Sequence, residues 1–517
     1  MAADNVPQGM IETVTQLADW VIVMPMLLCL MGAALLLILR RTVGLGFVLA
    51  VMLVAAIIAC ETLLLFRVVE HGPLSMTMGK WLPPFGISFT ADVFGASFAL
   101  AAAVVTLIVL LYAHADRPAN TAGDGFFALV LLLLGGVTGS FLTGDLFNLY
   151  VWFEVMLISS FGLLVIGGRP IQLDGAVKYG FLNFLATTIF LLSLGLLYGL
   201  LGTLNMADIL RVAPMANPAA MVGVAALMLL AFGMKAAGFP VNAWLPASYH
   251  APPAAVSALM AGLLTKVGIY ALLRTLVVLL PATREVLEPV LLLVAVATLV
   301  LSPLGAIAET NLRRAMGFVV MGGIGAVLAG IAMPSLTGIS GAGLYIFHAM
   351  LTMTGLYLVA GLIERQTGET DSRRMGGLYA SSAPLSIVFL VLILGAAGVP
   401  PMLGFWPKLQ LIQAGLAEAN WNGSVLVVAL LINAVLTLIA GSRLWAHIFW
   451  RADVTPVSPP TQHPTRLHWL ATGLLATLII AAGLWPNPMI EVAHIGAGDM
   501  ADPTRYSNAF GLAEIAP

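Results

Sequence analysis

Long apolar runs separated by short polar segments dominate this chain and leave few folds open to it. Of its 517 residues, 60% are hydrophobic and 9% are charged, whereas soluble domains carry roughly 25% charged residues. One aqueous core cannot bury that much apolar surface, and a run of about 20 apolar residues crosses a bilayer as a helix. The sequence therefore predicts an all-α polytopic membrane protein.

On this length criterion the chain contains about fourteen transmembrane helices. Their predicted limits are 20–40, 43–66, 91–113, 126–144, 146–167, 177–201, 219–238, 254–280, 287–308, 315–333, 339–363, 383–398, 424–449 and 468–486. Two half-helices, near 241–250 and 404–418, are predicted to follow breaks in the seventh and twelfth spans. The polar segments between spans are predicted to be loops, and no soluble domain interrupts them.

The positions of lysine and arginine predict how the spans are oriented. Most of these residues lie in loops after odd-numbered spans, as with Arg40, Arg313 and Arg373, and few lie after even-numbered spans. The positive-inside rule makes the odd loops cytoplasmic and places both termini on the outer face. Residues 1–19 contain no Lys or Arg, so they do not form a secretory signal.

A short motif occurs twice and predicts two broken helices. Ala-Ala-Gly-Phe-Pro at 236–240 returns as Ala-Ala-Gly-Val-Pro at 396–400, and each copy is followed by a Trp and a further Pro. A proline inside an apolar run interrupts the helix and frees backbone carbonyls. Paired breaks in corresponding halves of a transporter indicate an ion pathway. The predicted hinges are Gly238, Pro240, Gly398 and Pro400; two ordinary proline kinks are the alternative.

Four ionisable residues stand inside or beside apolar spans: Glu154, Lys235, Lys266 and Lys408. A charge at mid-bilayer costs about 2.5–3.5 kcal/mol on insertion scales, and such residues commonly serve proton or ion transfer. Glu154 and Lys235 are hypothesised to form an ion pair that a proton opens and closes. The alternatives are a neutral packing role for Glu154 and, for a lysine, an ammonium that reaches the membrane interface.

Two histidines are candidate proton relays because histidine titrates near neutral pH. His250 ends the first half-helix, where it is placed to link Lys235 to Lys266, and His348 lies inside the eleventh span. A purely structural role is the alternative for either.

Three carboxylates lie near the ends of spans. Glu61 and Asp145 are candidate entry sites, although an interfacial or capping role is favoured for both, and Asp92 is interpreted as a helix start.

Other classes of function find no support in the residues. There is no phosphate-binding glycine loop and no cysteine cluster or histidine pair at metal spacing, so no cofactor or metal is predicted. A net charge of −2 gives no sign of a nucleic-acid partner. A redox-driven or ATP-driven enzyme therefore finds no support in the residues.

Three segments resemble a known family. DLFNLYVWFEVMLISSFGLL at 145–164 is similar to the fifth-helix signature of the D-type membrane component of Mrp-type multisubunit Na⁺/H⁺ antiporters. The segment 235–274 resembles the core signature of the wider superfamily, which includes the antiporter-like subunits of respiratory complex I. GAAGVPPMLGFWPK at 395–408 resembles the broken twelfth helix of that group.

The resemblance implies two inverted five-helix repeats and a proton wire near mid-membrane. The expected divisions are 1–113, an N-terminal three-helix segment; 114–280 and 281–450, the two repeats; and 451–517, the last helix and tail. The matched wire residues are Glu154, Lys235, His250, Lys266 and Lys408. The chain departs from the family in the eleventh span, where many relatives carry a lysine and this sequence has Met353 and Thr354, leaving His348 and Thr354 to carry the proton.

The resemblance implies that the chain is not an enzyme but a subunit of a secondary active transporter in a bacterial inner (plasma) membrane. It is expected to couple proton entry to the export of Na⁺ or another monovalent cation. Its expected partners are the lipid bilayer and the other membrane subunits, of the A, B, C, E, F and G types. One alternative is a proton-pumping subunit of a complex I-type oxidoreductase or membrane-bound hydrogenase. A second alternative is a scaffold with a vestigial channel, which the missing lysine favours.

Overall fold

The computed structural model describes residues 17–81, 85–116, 124–452 and 464–510. Eleven helices in these ranges are long and apolar enough to cross a membrane. Three further apolar helices are shorter, spanning Met24–Ile38, Phe126–Phe141 and Ala383–Ala397. Every predicted run coincides with one of these helices, so the predicted helical membrane fold is confirmed.

Up to the end of the eighth predicted span, the described residues form eleven α-helices. They are α1 (Met24–Ile38), α2 (Val43–His71), α3 (Val93–Asp116), α4 (Phe126–Phe141), α5 (Leu146–Val165), α6 (Pro170–Leu201), α7 (Met206–Val212), α8 (Pro218–Ala236), α9 (Trp244–Tyr249), α10 (Ala254–Leu259) and α11 (Thr265–Leu273). α10 and α11 belong to one continuous span, Ala254–Leu279, with π-helical turns at Met260–Leu264 and Arg274–Leu279.

After that span, the described residues form ten more. They are α12 (Pro281–Ala308), α13 (Leu312–Ala332), α14 (Leu336–Thr367), α15 (Leu378–Ser381), α16 (Ala383–Ala397), α17 (Phe405–Ala417), α18 (Trp421–Trp445), α19 (Arg466–Leu484), α20 (Asn487–Ala501) and α21 (Pro503–Asn508). α18 continues through a π-helical turn to Trp450.

Polar residues at the ends of apolar runs fix where several helices begin. The side chains of Asp145, Asn217, Asn311 and Ser335 accept hydrogen bonds from backbone N–H groups in the first turns of α5, α8, α13 and α14. These N–H groups have no partner within the helix, so a capping oxygen stabilises the helix start. A polar residue before an apolar run therefore marks the helix boundary locally.

A small sheet is the one departure from an all-α chain in the described ranges. β1 (Leu74–Thr77) and β2 (Ser88–Ala91) pair antiparallel, with Leu74 opposite Ala91 and Thr77 opposite Ser88. The sequence predicts only a loop between the second and third spans. Each strand contains residues that favour β-structure, Thr77 in β1 and Phe89 and Thr90 in β2.

Burial separates the central spans from those at the rim. In the spans Ala254–Leu279 and Leu312–Ala332, 100% and 94% of the residues in an 18-residue apolar stretch are buried. In the spans Gly44–His71 and Pro170–Leu201 the corresponding shares are 28% and 33%. A helix surrounded by other helices is apolar all round, and a rim helix exposes its apolar face to lipid or to a partner. The span carrying Lys266 is therefore central, and α2 and α6 are peripheral.

Candidate functional site

Both Gly-x-Pro motifs lie in gaps between helices. α8 ends at Ala236 and α9 begins at Trp244, while α16 ends at Ala397 and α17 begins at Phe405. The left-handed residue is Ala237 (φ +61°) in the first break and Gly398 (φ +84°) in the second. The turn therefore starts one residue earlier in the first copy, before Gly238 rather than at it.

Side chains from elsewhere bind the backbone groups that the first break exposes. The indole nitrogen of Trp244 donates to the carbonyl of Met234 at 3.0 Å. The N–H of Phe239 donates to the hydroxyl of Thr298, in α12, at 3.0 Å. Buried backbone groups need such partners. At the first break, the tryptophan that follows the motif therefore has a structural role, because Trp244 binds a carbonyl that the break leaves exposed.

Lys235 lies on the last turn of α8 and is 4% exposed. Its Nζ stands 4.7 Å from the centre of the Phe153 ring, a cation–π contact. Glu154 lies on α5, half-buried, within electrostatic range of this ammonium. No salt bridge joins the two side chains in the described part of the chain, so in this conformation the hypothesised pair is apart.

Lys266 lies just after the first π-helical turn and is 1% exposed. Its Nζ donates to the carbonyl of Ala261 at 2.6 Å and to the hydroxyl of Thr265 at 3.2 Å. π-turns are frequent at functional sites because they disturb the regular backbone hydrogen bonding. The lysine is thus held entirely by neutral oxygens of its own helix.

Thr354 of α14 lies against the turn that holds Lys266. Its hydroxyl donates to Met350 O at 2.7 Å and lies 3.4 Å from Ala258 O. Gly262 faces it, and a side-chain carbon there would collide with the hydroxyl. Thr354 therefore contacts the helix that carries Lys266 directly.

His348 lies on α14, fully buried, within electrostatic range of both Lys266 and Lys408. Its Nδ1 is 3.1 Å from the hydroxyl of Thr352, and its Nε2 has no hydrogen-bond partner among the described residues. Gly404, in the second break, leaves room for the ring, because a side-chain carbon there would stand 2.7 Å from Nε2. The imidazole is therefore within electrostatic range of two lysines, and its Nε2 has no hydrogen-bond partner in the described ranges.

Lys408 extends back across the second break and is 4% exposed. Its Nζ donates to Ala397 O at 2.8 Å and to Ala396 O at 3.2 Å, and lies 3.5 Å from Asn433 Oδ1. The two carbonyls end α16, where the helix dipole is negative and favours a cation. A helix end thus takes the place of a carboxylate.

His250 lies apart from the lysines. Its Nδ1 is 3.0 Å from Pro246 O, and its charged neighbours are Glu309, Arg313 and Arg314 at the start of α13. No hydrogen bond among the described residues joins it to Lys235 or Lys266. Of the two histidines, His348 is within electrostatic range of two of the predicted lysines, whereas the charged neighbours of His250 are Glu309, Arg313 and Arg314.

The three remaining carboxylates have structural partners. Asp145 accepts from the N–H of Asn148 at 2.9 Å and caps α5, and Asp92 accepts from the N–H of Gly95 at 2.7 Å while pairing with Arg274. Glu61 is fully buried and accepts from the Thr138 hydroxyl at 3.1 Å. The helix-start interpretation of Asp92 and the capping interpretation of Asp145 agree with these contacts.

Sequence reasoning missed two polar residues beside the breaks, Asn433 of α18 and Thr298 of α12. Both are buried, at 1% and 0% exposure. An amide or hydroxyl in the middle of an apolar span is the signal that marks them, as in LLINAVLTL. Among the residues that the structure describes, no group of three His, Cys, Asp or Glu is placed to hold a metal ion.

The chain resembles proteins of one family along nearly its whole length. Residues 143–437 match the model for the "NADH:quinone oxidoreductase/Mrp antiporter" transmembrane family. The D component of the Na⁺/H⁺ antiporter of Bacillus subtilis is 33% identical over 94% of this chain and 98% of its own length. The protein of the same name from Alkalihalophilus pseudofirmus is 32% identical over 94% and 98%.

Solved structures give the same result. A chain of the Mrp complex from Dietzia sp. is 27% identical, with a TM-score of 0.88 over 96% of this chain and 100% of that one. A chain of the membrane-bound sulfane sulfur reductase, an archaeal respiratory complex, is 26% identical with a TM-score of 0.85 over 96% and 100%. From the matched family model and the full-length relatives it follows that this chain belongs to the NADH:quinone oxidoreductase/Mrp antiporter family.

Proposed function

We propose that this chain is the D-type membrane component of a multisubunit Na⁺/H⁺ antiporter and conducts protons through Glu154, Lys235, Lys266, His348 and Lys408. The observation that carries the proposal is the setting of the lysines. Each is buried, and each ammonium contacts carbonyls, hydroxyls or an aromatic ring instead of a carboxylate. Burying an unpaired charge is costly, and loss of the proton removes that cost.

The spatial order of these residues supports lateral transfer. Lys235 and Lys266 lie on helices that touch, since a side-chain carbon at Gly268 would stand 3.1 Å from the Cβ of Lys235. His348 is within electrostatic range of both Lys266 and Lys408, and we propose that it takes the relay position in this span for which the family resemblance implies a lysine. We propose that water bridges the gaps between these residues. His250 lies apart from the lysines, beside the polar start of α13, and its proposed role is to connect the row to that region through the same water.

Glu154 supports the proposal that other subunits cover this one. It is half-buried on a face of α5 whose neighbours Val151 and Ile158 are exposed. A carboxylate facing lipid at that depth is costly, whereas a partner protein offers polar contacts. The other antiporter subunits are the proposed partners, in a bacterial plasma membrane with both termini on the outer face.

The proposed repeats, 114–280 and 281–450, each contribute one broken helix and its lysine. Proton flow inward would move Na⁺ outward through the assembled complex. Moving one charge through 100 mV supplies about 2.3 kcal/mol, so the membrane potential and proton gradient drive the exchange and no bond chemistry is needed.

The experiment measures Na⁺-dependent proton movement in everted vesicles that contain the whole complex. Glu154→Gln and Lys235→Ala are each expected to lower transport at least tenfold, because one removes the partner charge and the other the protonatable group. Lys178→Ala is the matched control, since Lys178 is exposed and pairs with Asp174 on the surface. Normal transport by either test variant, in complexes that assemble fully, would contradict the proposed roles.

A redox-driven proton pump is the second candidate, because a respiratory complex contains a chain of the same fold. Purified complex distinguishes the two. An antiporter moves protons when a Na⁺ gradient is imposed and needs no electron donor. Proton movement that requires an electron donor and ignores Na⁺ would favour the pump.

A further inference from the structure

Pro303 leaves one backbone carbonyl of α12 without its usual helical donor. Proline has no N–H, so the carbonyl four residues earlier, that of Leu299, loses its hydrogen bond within the helix. The side chain of Asn433, from α18, fills the place: its Nδ2 donates to Leu299 O at 2.9 Å. The proline and the asparagine therefore form one unit.

This contact fixes which way the amide faces. A carbonyl accepts and cannot donate, so the NH₂ group of Asn433 must face Leu299. Its oxygen then points the other way, where it lies 3.5 Å from the Nζ of Lys408. The other two contacts of this ammonium are Ala397 O and Ala396 O, so the amide oxygen completes a set of three neutral acceptors.

Glycines provide the space that this arrangement needs. A side-chain carbon at Gly322 would stand 2.9 Å from Asn433 Nδ2, and one at Gly398 would stand 2.7 Å from Lys408 Cδ. Ser302 lies beside the same amide, 1% exposed, and its hydroxyl has no hydrogen-bond partner among the described residues. The pocket around Asn433 is thus close-fitting and polar at one point.

The same turn of α12 also contacts the other broken helix. Thr298, the residue before Leu299, accepts the hydrogen bond from the N–H of Phe239 in the first break. Adjacent residues of α12 therefore hold the first break directly and the lysine of the second break through Asn433. α12 joins the two halves of the molecule at the level of both breaks.

Resting on the proposed function, we propose that Asn433 is a positioning residue for Lys408. Its amide, oriented by the carbonyl that Pro303 frees, holds the ammonium of Lys408 at the end of α16 and ties the second break to the first through α12. Asn433 exchanges no proton itself. It sets the site at which Lys408 holds one.

The test is a titration of the purified complex that needs no transport. Proton release is followed as pH rises, and the Lys408→Ala curve is subtracted from each curve, which leaves the proton bound at Lys408. Asn433→Leu is expected to move the midpoint of this release down by about one pH unit, the usual value of one hydrogen bond to a charge. Asn433→Asp is expected to move it upward, because a carboxylate favours the ammonium.

Pro303→Ala tests the same contact between Asn433 and Leu299 O without changing the side chain of Asn433 or of Lys408. The alanine N–H competes for Leu299 O and releases the amide, so the midpoint is expected to move in the direction of Asn433→Leu but less far. Combining Pro303→Ala with Asn433→Leu should shift it no further than Asn433→Leu alone. Pro289→Ala, at the other proline inside α12, is the control and should shift nothing.

Na⁺/H⁺ exchange is measured on the same preparations. This measurement separates the positioning role of Asn433 from the proposed antiporter function. Unshifted midpoints in Asn433→Asp and Pro303→Ala overturn the positioning role, whether or not the complex transports. Opposite shifts in a complex that shows no Na⁺/H⁺ exchange support the positioning role and overturn the proposed function. If Asn433→Leu fails to assemble, the Asn433→Asp and Pro303→Ala titrations decide.

Discussion

The lysine of the second break depends on a glycine that no charge pattern reveals. Gly398 has φ +84°, a conformation that side chains rarely adopt, and the Lys408 chain crosses directly over it. The residue therefore has two tasks, to turn the chain and to leave space. Lys408 reaches the α16 carbonyls because the chain turns at Gly398 and because Gly398 has no side chain in the path of the lysine.

Gly398→Ala should separate these tasks when compared with Gly202→Ala. Gly202 also has a positive φ, +71°, but nothing lies within 4 Å of a carbon placed there. Gly202→Ala is expected to cost about 1 kcal/mol of backbone strain and to leave transport intact. Gly398→Ala should cost more and also abolish transport, because it displaces Lys408.

Thermal denaturation of the solubilised complex and vesicle transport measure the two effects. If Gly398→Ala and Gly202→Ala lose the same stability and both keep transport, then Lys408 does not need the space that Gly398 leaves.

Contact between elements is decided by small residues on the central helices. Gly262, in the first π-helical turn, lets α14 approach closely enough for Thr354 to contact Ala258 O. The helix that carries Lys266 and the helix that carries His348 are held together at this point. The proposed proton relay from Lys266 to His348 depends on the distance between these two helices.

Gly262→Ala is expected to destabilise the complex by about 1–3 kcal/mol, the usual range for overpacking, and to reduce transport by separating the two helices. Adding Thr354→Ala should restore part of both, since it removes the hydroxyl that the new carbon meets. Gly195→Ala in α6 is the matched control, because that glycine has open space around it. A double variant no better than Gly262→Ala would refute the contact argument.

On the scale of the whole molecule, the two C-terminal helices pack back onto the ends of earlier spans. Arg505 of α21 pairs with Asp499 of α20 at 2.7 Å, and Arg274 pairs with Asp92 at the start of α3. Asp92 and Arg274 lie within electrostatic range of Asp499. This cluster joins α20 and α21 to the start of α3 and to the end of the span Ala254–Leu279.

The cluster predicts a pH dependence of stability. Burial, and next the charge of Asp92, raises the pKa of Asp499 from 3.8 to about 6. The folded state then binds this proton more tightly than the unfolded chain, so the group's contribution to stability is full below pH about 4 and is lost as pH rises through 6. Asp499→Asn should therefore gain stability relative to the parent between pH 4 and 7.

Melting temperatures of the complex across this range test the sign. The difference between Asp499→Asn and the parent should rise with pH and then level off. Asp174→Asn, at an exposed surface pair, serves as the control. A difference that falls with rising pH would mean that the Arg505 pair outweighs burial.

Much of the fold was predictable because its signals are local. Apolar length predicts a helix that spans, a capping Asn or Asp predicts its start, and a repeated Gly-x-Pro predicts its break. The limits of α4, α5 and α13 lie within a few residues of the predicted runs for this reason. The β1–β2 pairing was missed because it joins two segments whose meeting depends on the spans beside them.

The candidate site divides in the same way. Sequence alone singled out Glu154, Lys235, Lys266 and Lys408, because a charge in an apolar run is visible without knowing any contact. It did not reveal that His348 is within electrostatic range of two lysines or that Lys235 stands over the Phe153 ring. Nor did it reveal that Asn433 donates to the carbonyl that Pro303 leaves without a helical donor. Those contacts join residues distant in the chain, so only the packing of helices determines them.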